Sequence, residues 1–212
     1  MPFALVTCGP AHEPIDAVRR ITNHATGEVG TVLSTALHDA GFDVVCFRGE
    51  SASHPAPTAA EVIAFSTNTS LAEALEVLPH APEVIFHAAA LADFCLSSIS
   101  GLTANEGKIR SDVSELVLTL RPAEKILPRL RALFPEALIV GWKYEVEGEQ
   151  ADCLHLARSQ ITRARTDACV ANGPAYGPGF GFLDADVETV CHLPDKAALA
   201  RHLVDWARLK LA

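Results

Sequence analysis

Six short runs of apolar, often β-branched residues, at 3–8, 43–47, 61–65, 84–90, 138–142 and 168–171, constrain the fold of this chain more than any other feature. Each is too short for a helix, and most lack the in–out alternation of a half-solvated strand, as expected of strands buried on both faces. Helical spacing fills the gaps between them. Val32, Leu33, Ala36, Leu37 and Ala40 recur at helical intervals before Gly41 closes the segment, and Ser70-Leu71-Ala72-Glu73 reads as a capping box opening a helix through Leu75 and Leu78. Glu149 to Arg163 carries Leu154, Ala157 and Ile161 on one stripe, and a last helix from about Asp195 shows Leu199, Leu203, Trp206 and Leu209. In the 124–134 pattern, Pro128 predicts a helix that starts close to it or kinks there. Strand–helix alternation at this spacing predicts an α/β fold: a three-layer, Rossmann-like, doubly wound and mostly parallel sheet, with ligands gathering at the carboxyl ends of its strands. At 212 residues, 49% of them hydrophobic and only 6% aromatic, residues 1–212 make one such domain.

Two segments depart from the alternation. Residues 95–115 show no helix period and are rich in Ser, Gly, Asn and Asp, so an irregular arm is expected around 95–120, ending in the strand-like Leu116-Val117-Leu118-Thr119-Leu120. The Pro-, Ala- and Ser-rich 51–59 reads as a surface loop. A net charge of -9 argues against a nucleic-acid groove or an anionic membrane surface, both of which need a positive field, so any phosphate site must be local. No basic leader with an apolar core opens the chain and no apolar run is long enough to cross a bilayer, so a cytoplasmic protein is expected. The cysteines at 8, 46, 95, 153, 169 and 191 form no C-x-x-C pair. They are expected to behave as small buried hydrophobes and not as zinc ligands, with Cys95 alone kept as site-adjacent.

The stretch Thr22-Asn23-His24-Ala25-Thr26-Gly27-Glu28-Val29-Gly30 puts polar, flexible backbone where a first strand hands over to a first helix. Free N–H groups of a helix's first turn, together with the positive end of its dipole, make an anion site there. Glycines at 27 and 30 would let a ligand approach the backbone closely, although Gly-x-x-Gly fits equally with Thr26 as a simple N-cap and glycines that serve packing.

A longer string decides between these readings. Gly9-Pro10-Ala11-His12-Glu13-Pro14-Ile15-Asp16-Ala17-Val18-Arg19-Arg20-Ile21-Thr22-Asn23 resembles the opening of the phosphopantothenoylcysteine synthetases, ligases of coenzyme A synthesis. The likeness continues in order through Ala88-Ala89-Ala90-Leu91-Ala92-Asp93-Phe94, Lys108-Ile109-Arg110-Ser111, Glu124-Lys125-Ile126-Leu127, Gly141-Trp142-Lys143 and Asp167-Ala168-Cys169-Val170-Ala171-Asn172. The resemblance implies amide formation between 4'-phosphopantothenate and L-cysteine. The carboxylate attacks the α-phosphorus of a nucleoside triphosphate to give an acyl-nucleotide and pyrophosphate, and the cysteine amine then displaces the nucleotide.

On the same resemblance, Asn23 and Lys108 are the candidate catalytic residues: Asn23 as a hydrogen-bond donor to the tetrahedral oxyanion, Lys108 as a point charge on the triphosphate. Gly9, Arg19, Gly27, Gly30 and Asn172 are the expected phosphopantothenate contacts, Arg19 addressing its phosphate. Ala89, Ala90, Asp93, Lys108, Lys125 and Trp142 are the expected nucleotide contacts; the two alanines would serve by letting the nucleotide reach backbone N–H and C=O groups. Magnesium is implied as the cofactor, with no ligand set named, and cytidine triphosphate as co-substrate, with ATP as the alternative. Arg110-Ser111, Lys143 and the lack of an attached flavin-dependent decarboxylase domain are closest to the standalone bacterial type. A homodimer through the arm is implied as well.

Departures from the family pattern point the other way. Pro10 and Ala11 stand where the family has Gly-Thr, removing a backbone N–H and a hydroxyl, and Glu28 places a carboxylate in the turn that would meet a phosphate. A diverged paralogue that binds nucleotide or another metabolite, or joins another acid and amine, is the alternative. A short-chain NAD(P) oxidoreductase fits less well, because Tyr144 and Tyr176 are followed four residues later by Gly148 and Phe180, not lysine.

Overall fold

The structure is a computed structural model that describes residues 1–100, 107–109, 112 and 114–212. In chain order the elements are β1 (Phe3–Cys8), β2 (His12–Pro14), β3 (Arg20–Thr22), α1 (Glu28–Asp39), β4 (Asp43–Gly49), β5 (Glu61–Phe65), α2 (Asn68–Glu76) and β6 (Val84–His87). There follow β7 (Phe94–Ser100), β8 (Val117–Pro122), α3 (Ile126–Leu133), β9 (Leu138–Tyr144), α4 (Gln150–Ala164), β10 (Ala168–Asn172), β11 (Phe180–Asp184), β12 (Cys191–Leu193) and α5 (Lys196–Leu211). Eight strands form one sheet in the order β12-β11-β10-β9-β6-β1-β4-β5. From β10 to β5 every neighbouring pair is parallel, and β11 and β12 close the other edge antiparallel. The order reverses between β1 and β6: the chain first winds outward through β4 and β5, then returns through β6 and winds the other way. A crevice at the carboxyl ends of β1 and β6 is the geometric result.

The inner strands of the sheet feed two cores. Ala4, Val6, Val84, Phe86 and Val170 face α1 and α5, where they meet Leu33, Leu37, Leu199, Leu203 and Trp206. Their sequence neighbours Leu5, Ile85 and Ile139 face α2 and α3, against Leu71, Leu75, Ile126 and Leu130, while Cys169 and Ala171 meet Cys153, Ala157 and Ile161 of α4. Burial on both faces explains why these strands read as continuous apolar runs. The three-layer α/β fold is therefore as expected, and Pro128 lies in the first turn of α3, where its missing N–H removes no helix bond.

Several boundaries and elements differ from the sequence reading. The 84–90 run ends as a strand at His87, because Ala88–Ala90 peel away to follow the loop after β1. Helix α2 starts three residues before the expected box: Thr67 is the N-cap, its hydroxyl accepts from the Ser70 N–H at 3.1 Å, and the Ser70 hydroxyl accepts from the Thr67 N–H at 2.9 Å. On α4 the fully buried stripe is Cys153, Ala157, Ile161 and Ala164, with Leu154 only partly covered, and Leu209 on α5 is 77% exposed. Part of the arm is regular: Phe94–Ser100 is a strand paired antiparallel with β8, so the Ser-rich segment is in part a two-stranded ribbon. Its small polar residues hid a period-2 pattern that solvent on both faces makes weak. The short β2–β3 hairpin carried no sequence signal either.

Two packing features generate stability predictions. Gly30, in the first turn of α1, lies so close to β1 that an added Cβ would stand 2.1 Å from the Cys8 Cβ and 2.6 Å from its Sγ. Gly30→Ala is expected to cost about 1–3 kcal/mol of unfolding free energy in urea titrations, since helix and sheet must move apart. His87 is buried with its Nδ1 2.7 Å from the Thr7 hydroxyl oxygen, and burial lowers its pKa from 6.5 to about 4. Between those two values the unfolded chain binds a proton that the folded protein refuses, so stability falls as pH drops through 6.5 and the loss levels off below about 4. Unfolding curves of His87→Gln should lack this component, roughly 3 kcal/mol between pH 7 and pH 4 when set against the parent protein.

Candidate functional site

The crevice is built from backbone first. Beyond the last residues of β1 and β6 the two chains continue to pair: the Ala88 N–H donates to the Thr7 carbonyl at 2.9 Å, the Ala90 N–H to Gly9 at 2.9 Å, and the Ala11 N–H to Ala90 at 3.0 Å. Both backbone groups of Ala90 are thus committed to the β1 loop, which leaves Ala89 as the member of the pair with backbone to offer a ligand. The β2–β3 hairpin folds over this junction. The Thr22 hydroxyl donates to the Ala11 carbonyl at 2.8 Å, and Asn23, just past β3, donates its Nδ2 to the Leu91 carbonyl at 2.8 Å. That bond fixes the plane of the Asn23 carboxamide and leaves its second N–H and its oxygen uncommitted. Asn68, in the first turn of α2, holds the same loop from the other side, with its side-chain amide paired to both the N–H and the C=O of Ala92 at 3.1 and 2.8 Å.

On the α1 side, Gly27 is the N-cap in a left-handed conformation (φ 81°) and no side chain caps the helix; the Thr26 hydroxyl only accepts from the Glu28 N–H at 3.3 Å. Gly9 also has positive φ, and the Ala52 methyl sits against both glycines, so a Cβ at Gly9 would stand 2.8 Å from it and one at Gly27 3.0 Å. Ala52 belongs to the loop read as plain surface from sequence. That loop is strapped down by Arg48, which donates to the carbonyls of Ala52 and His54, by the His54 N–H on the Thr26 carbonyl at 3.0 Å, and by the Thr31 hydroxyl on the Pro55 carbonyl at 3.0 Å. Gly30, by contrast, faces Cys8 and serves helix–strand packing.

The Glu28 carboxylate pairs with Lys196 at the start of α5. This hydrogen bond holds its pKa below the ordinary carboxylate range and turns its charge toward α5. Asp93 pairs with Lys125, Lys143 with Glu145 at 2.6 Å, and Arg19 with Asp16 at 2.8 Å, so with Lys196 four cations already have carboxylate partners. Asp93 lies six residues past the end of β6, on the far side of the Asn68-clamped loop, and neither ends the strand nor caps a helix. Lys108 is exposed and makes no ion pair with a described residue. Arg110 and Ser111, the rest of its motif, lie outside the described residues. Trp142 packs on the α1–α5 core with its carbonyl accepting from Gln160 at 3.2 Å. Asn172 ends β10 with its Oδ1 buried and without a hydrogen-bond partner among the described residues, an acceptor left open at the carboxyl edge of the sheet.

The fold thus brings Gly9, Asn23, Gly27, Ala89 and Ala90 to one junction. Trp142 lies on β9, next to β6, and Asn172 ends β10, one strand further out, while Asp93 and Lys125 are tied to one another. Sequence reasoning missed Asp16, Arg48, Ala52, Asn68 and Lys196. The Glu13-Pro14-Ile15-Asp16 string signalled the first, but nothing local marks the others, whose roles come from long-range contacts.

Comparison with known proteins places this geometry. The chain is 32% identical over 171 residues, 79% of its length, to the coenzyme A biosynthesis bifunctional protein CoaBC of Thermococcus kodakarensis. It spans only 40% of that protein and 44% of the Bacillus subtilis counterpart, so it matches about half the length of these curated relatives, or less. In fold it superimposes on the DNA/pantothenate metabolism flavoprotein from Streptococcus pneumoniae with a TM-score of 0.87 at 22% identity, covering 99% of this chain and 100% of the other. The Cab2 H337A mutant in complex with phosphopantothenate-cysteine gives a TM-score of 0.75 at 18% identity, covering 99% of this chain and 88% of the other. The family model of the DNA/pantothenate metabolism flavoprotein C-terminal domain matches residues 3–208. The chain belongs to that family.

Proposed function

We propose that this protein joins 4'-phosphopantothenate to L-cysteine through an acyl-nucleotide intermediate. The observation that carries the reading is the position of Asn23, anchored to the Leu91 carbonyl beside the β1–β6 junction, where its free N–H is available to a reacting carbonyl. The uncapped first turn of α1 offers backbone N–H groups and a positive dipole end to a phosphate, and the pairing of Glu28 with Lys196 removes the carboxylate that would have opposed it. The open Oδ1 of Asn172 fits an amide or hydroxyl donor, both of which the pantothenate portion carries.

In the first step a carboxylate must approach a polyanion, so the rate depends on fixed positive charge around the phosphates. Lys108, which has no ion-pair partner among the described residues, supplies it, with Lys125 able to exchange Asp93 for a phosphate oxygen. In the second step the cysteine amine attacks the acyl carbon, negative charge gathers on the carbonyl oxygen, and Asn23 donates to it. Because its plane is fixed before the reaction, little reorganisation is needed at that moment. Magnesium is proposed to enter with the triphosphate and neutralise part of its charge. Among the described residues no three His, Cys, Asp or Glu side chains group together, and Glu28 and Asp93 are each held by a lysine, so the donor set suits an ion bound chiefly by phosphate oxygens. Cytidine triphosphate is the proposed co-substrate, with ATP second. A reducing, cytoplasmic setting is supported by the six free cysteines, and among the described residues no helix is long and apolar enough to cross a membrane.

A homodimer joined through the β7–β8 arm is part of the proposal, supported by Phe94, Val117 and Leu120, which the arm leaves 53%, 46% and 40% exposed. Sedimentation equilibrium should return twice the 22.6 kDa chain mass; the single-chain mass at micromolar concentration would rule the dimer out.

Release of pyrophosphate should require phosphopantothenate and be fastest with cytidine triphosphate among the four common nucleoside triphosphates. Asn23→Ala is expected to slow formation of the amide about 100-fold or more, with acyl-nucleotide accumulating in quenched samples. Lys108→Ala should raise the KM for nucleotide about tenfold. Nucleotide binding without pyrophosphate release would replace the ligase with a binding module.

A further inference from the structure

The candidate lysine of this site is held by a residue more than ninety positions away. Asp16 occupies the turn between β2 and β3, with its side chain only 5% exposed, and its carboxylate accepts four hydrogen bonds. Oδ1 takes the N–H groups of Val18 at 2.9 Å and Arg19 at 2.7 Å, the local pattern of an aspartate closing its own turn. Oδ2 takes Arg19 Nη1 at 2.8 Å and the N–H of Ile109 at 3.0 Å, and the second of these has no role within the turn. Two more bonds reach the same segment: the Ala17 N–H donates to the Gly107 carbonyl at 2.7 Å, and Arg19 Nη1 to the Ile109 carbonyl at 3.2 Å. The Ile109 side chain is buried.

These three bonds straddle Lys108. One holds the residue before it and two hold the residue after, so the backbone is fixed on both sides while the side chain alone stays exposed. A lysine that served only solubility would have no need of such a mount. The same turn leads directly through β3 to Asn23, which is anchored in turn to Leu91. Asp16 therefore gives the two candidate catalytic side chains one common frame, although Lys108 arrives from a distant part of the sequence. The Arg19 guanidinium, expected to meet a substrate phosphate, is engaged in this mount on Asp16 and Ile109.

We propose that Asp16 is a positioning residue for Lys108, acting through the Ile109 N–H and Arg19 to set where the lysine charge meets the triphosphate. The proposal rests on the ligase reading for its kinetic consequence, but not for its geometry. Desolvation of the Asp16 carboxyl opposes its ionisation, yet the three backbone N–H donors and Arg19 outweigh that and keep its pKa below the usual carboxylate range. It is thus a charged acceptor at every pH where the enzyme would work.

The test is a double-mutant cycle in the full chain with Asp16→Asn, Lys108→Ala and the pair, read as kcat/KM for the nucleotide in pyrophosphate release and accompanied by hydrogen exchange at the Ile109 amide. Asp16→Asn replaces one acceptor oxygen by an NH2 that cannot accept, and should lower kcat/KM for nucleotide about tenfold while moving the KM for cysteine less than about twofold. In the Lys108→Ala background the same change should cost less than about twofold, because the group it positions is already gone. Exchange at the Ile109 amide should quicken about tenfold or more with the thermal midpoint held, in Asp16→Asn or, if that variant rearranges, in Asp16→Ala. Losses that multiply across the cycle, or unchanged exchange at Ile109, overturn the proposal. If the parent protein releases no pyrophosphate, the ligase reading fails by itself, and the exchange measurement still decides whether Asp16 holds the Lys108 segment.

Discussion

Pairing between β1 and β6 does not stop where the strands do. Thr7, Gly9 and Ala11 on one chain and Ala88 and Ala90 on the other continue the ladder into what would otherwise be two free loops, and the whole site hangs from that extension. It exists because the sheet order reverses at this pair, so that no crossover helix covers the carboxyl ends and both exits open into the same crevice. Small residues make it possible. A backbone that must pair this closely while turning away from the sheet has little room for side chains, and Gly9, Ala11, Ala88, Ala89 and Ala90 provide that room. The β2–β3 hairpin then docks through Thr22 on Ala11 and Asn23 on Leu91, and the start of α2 docks through Asn68 on Ala92.

Charge is organised as locally as the backbone. In a protein with a net charge of -9, a site for phosphorylated molecules cannot draw on a general positive field. The cations around the crevice are instead held in separate pairs, Lys196 with Glu28, Lys125 with Asp93, Lys143 with Glu145 and Arg19 with Asp16. Such pairs contribute little to stability where exposed, but they fix side-chain direction. Pro10, which withholds a backbone N–H from this region, still sits in a parallel bridge with Ala90, because the two bonds of that bridge come from its neighbours, the Gly9 carbonyl and the Ala11 N–H.

Much of this architecture is legible in the sequence. Strands buried on both faces announce themselves as apolar runs, and β1, β4, β6, β9 and β10 all lie where such runs stand, with ends that differ by up to three residues; the edge strand β5, largely exposed, also follows its apolar run. Strand β8 is legible as the strand-like 116–120, but β2, β3, β7 and β12 are not, because short or exposed strands alternate polar and apolar residues too briefly to stand out, and neither is the buried β11, whose apolar run is broken by Gly181 and Asp184. The same division runs through the site. Asn23, Gly9, Gly27 and Asn172 could be picked out because they sit in strings that resemble a known family. Arg48 and Lys196 could not, since an arginine ending a strand and a lysine opening a helix carry no local mark of the carbonyls or carboxylate they will meet. The opposed readings of Gly27 and Gly30 divide cleanly: Gly27 supplies the left-handed cap of α1, and Gly30 makes the contact with Cys8 that brings α1 against the sheet.

Arg48 and the Ala52 methyl have a consequence for how this region tolerates change over evolutionary time. Because one guanidinium spans the carbonyls of residues 52 and 54 and one methyl rests on two glycines, the number of residues between β4 and that contact is fixed as strictly as in a tight hairpin. Length variation among related chains should therefore accumulate after Pro55, in the stretch leading to β5, and be purged between Gly49 and His54.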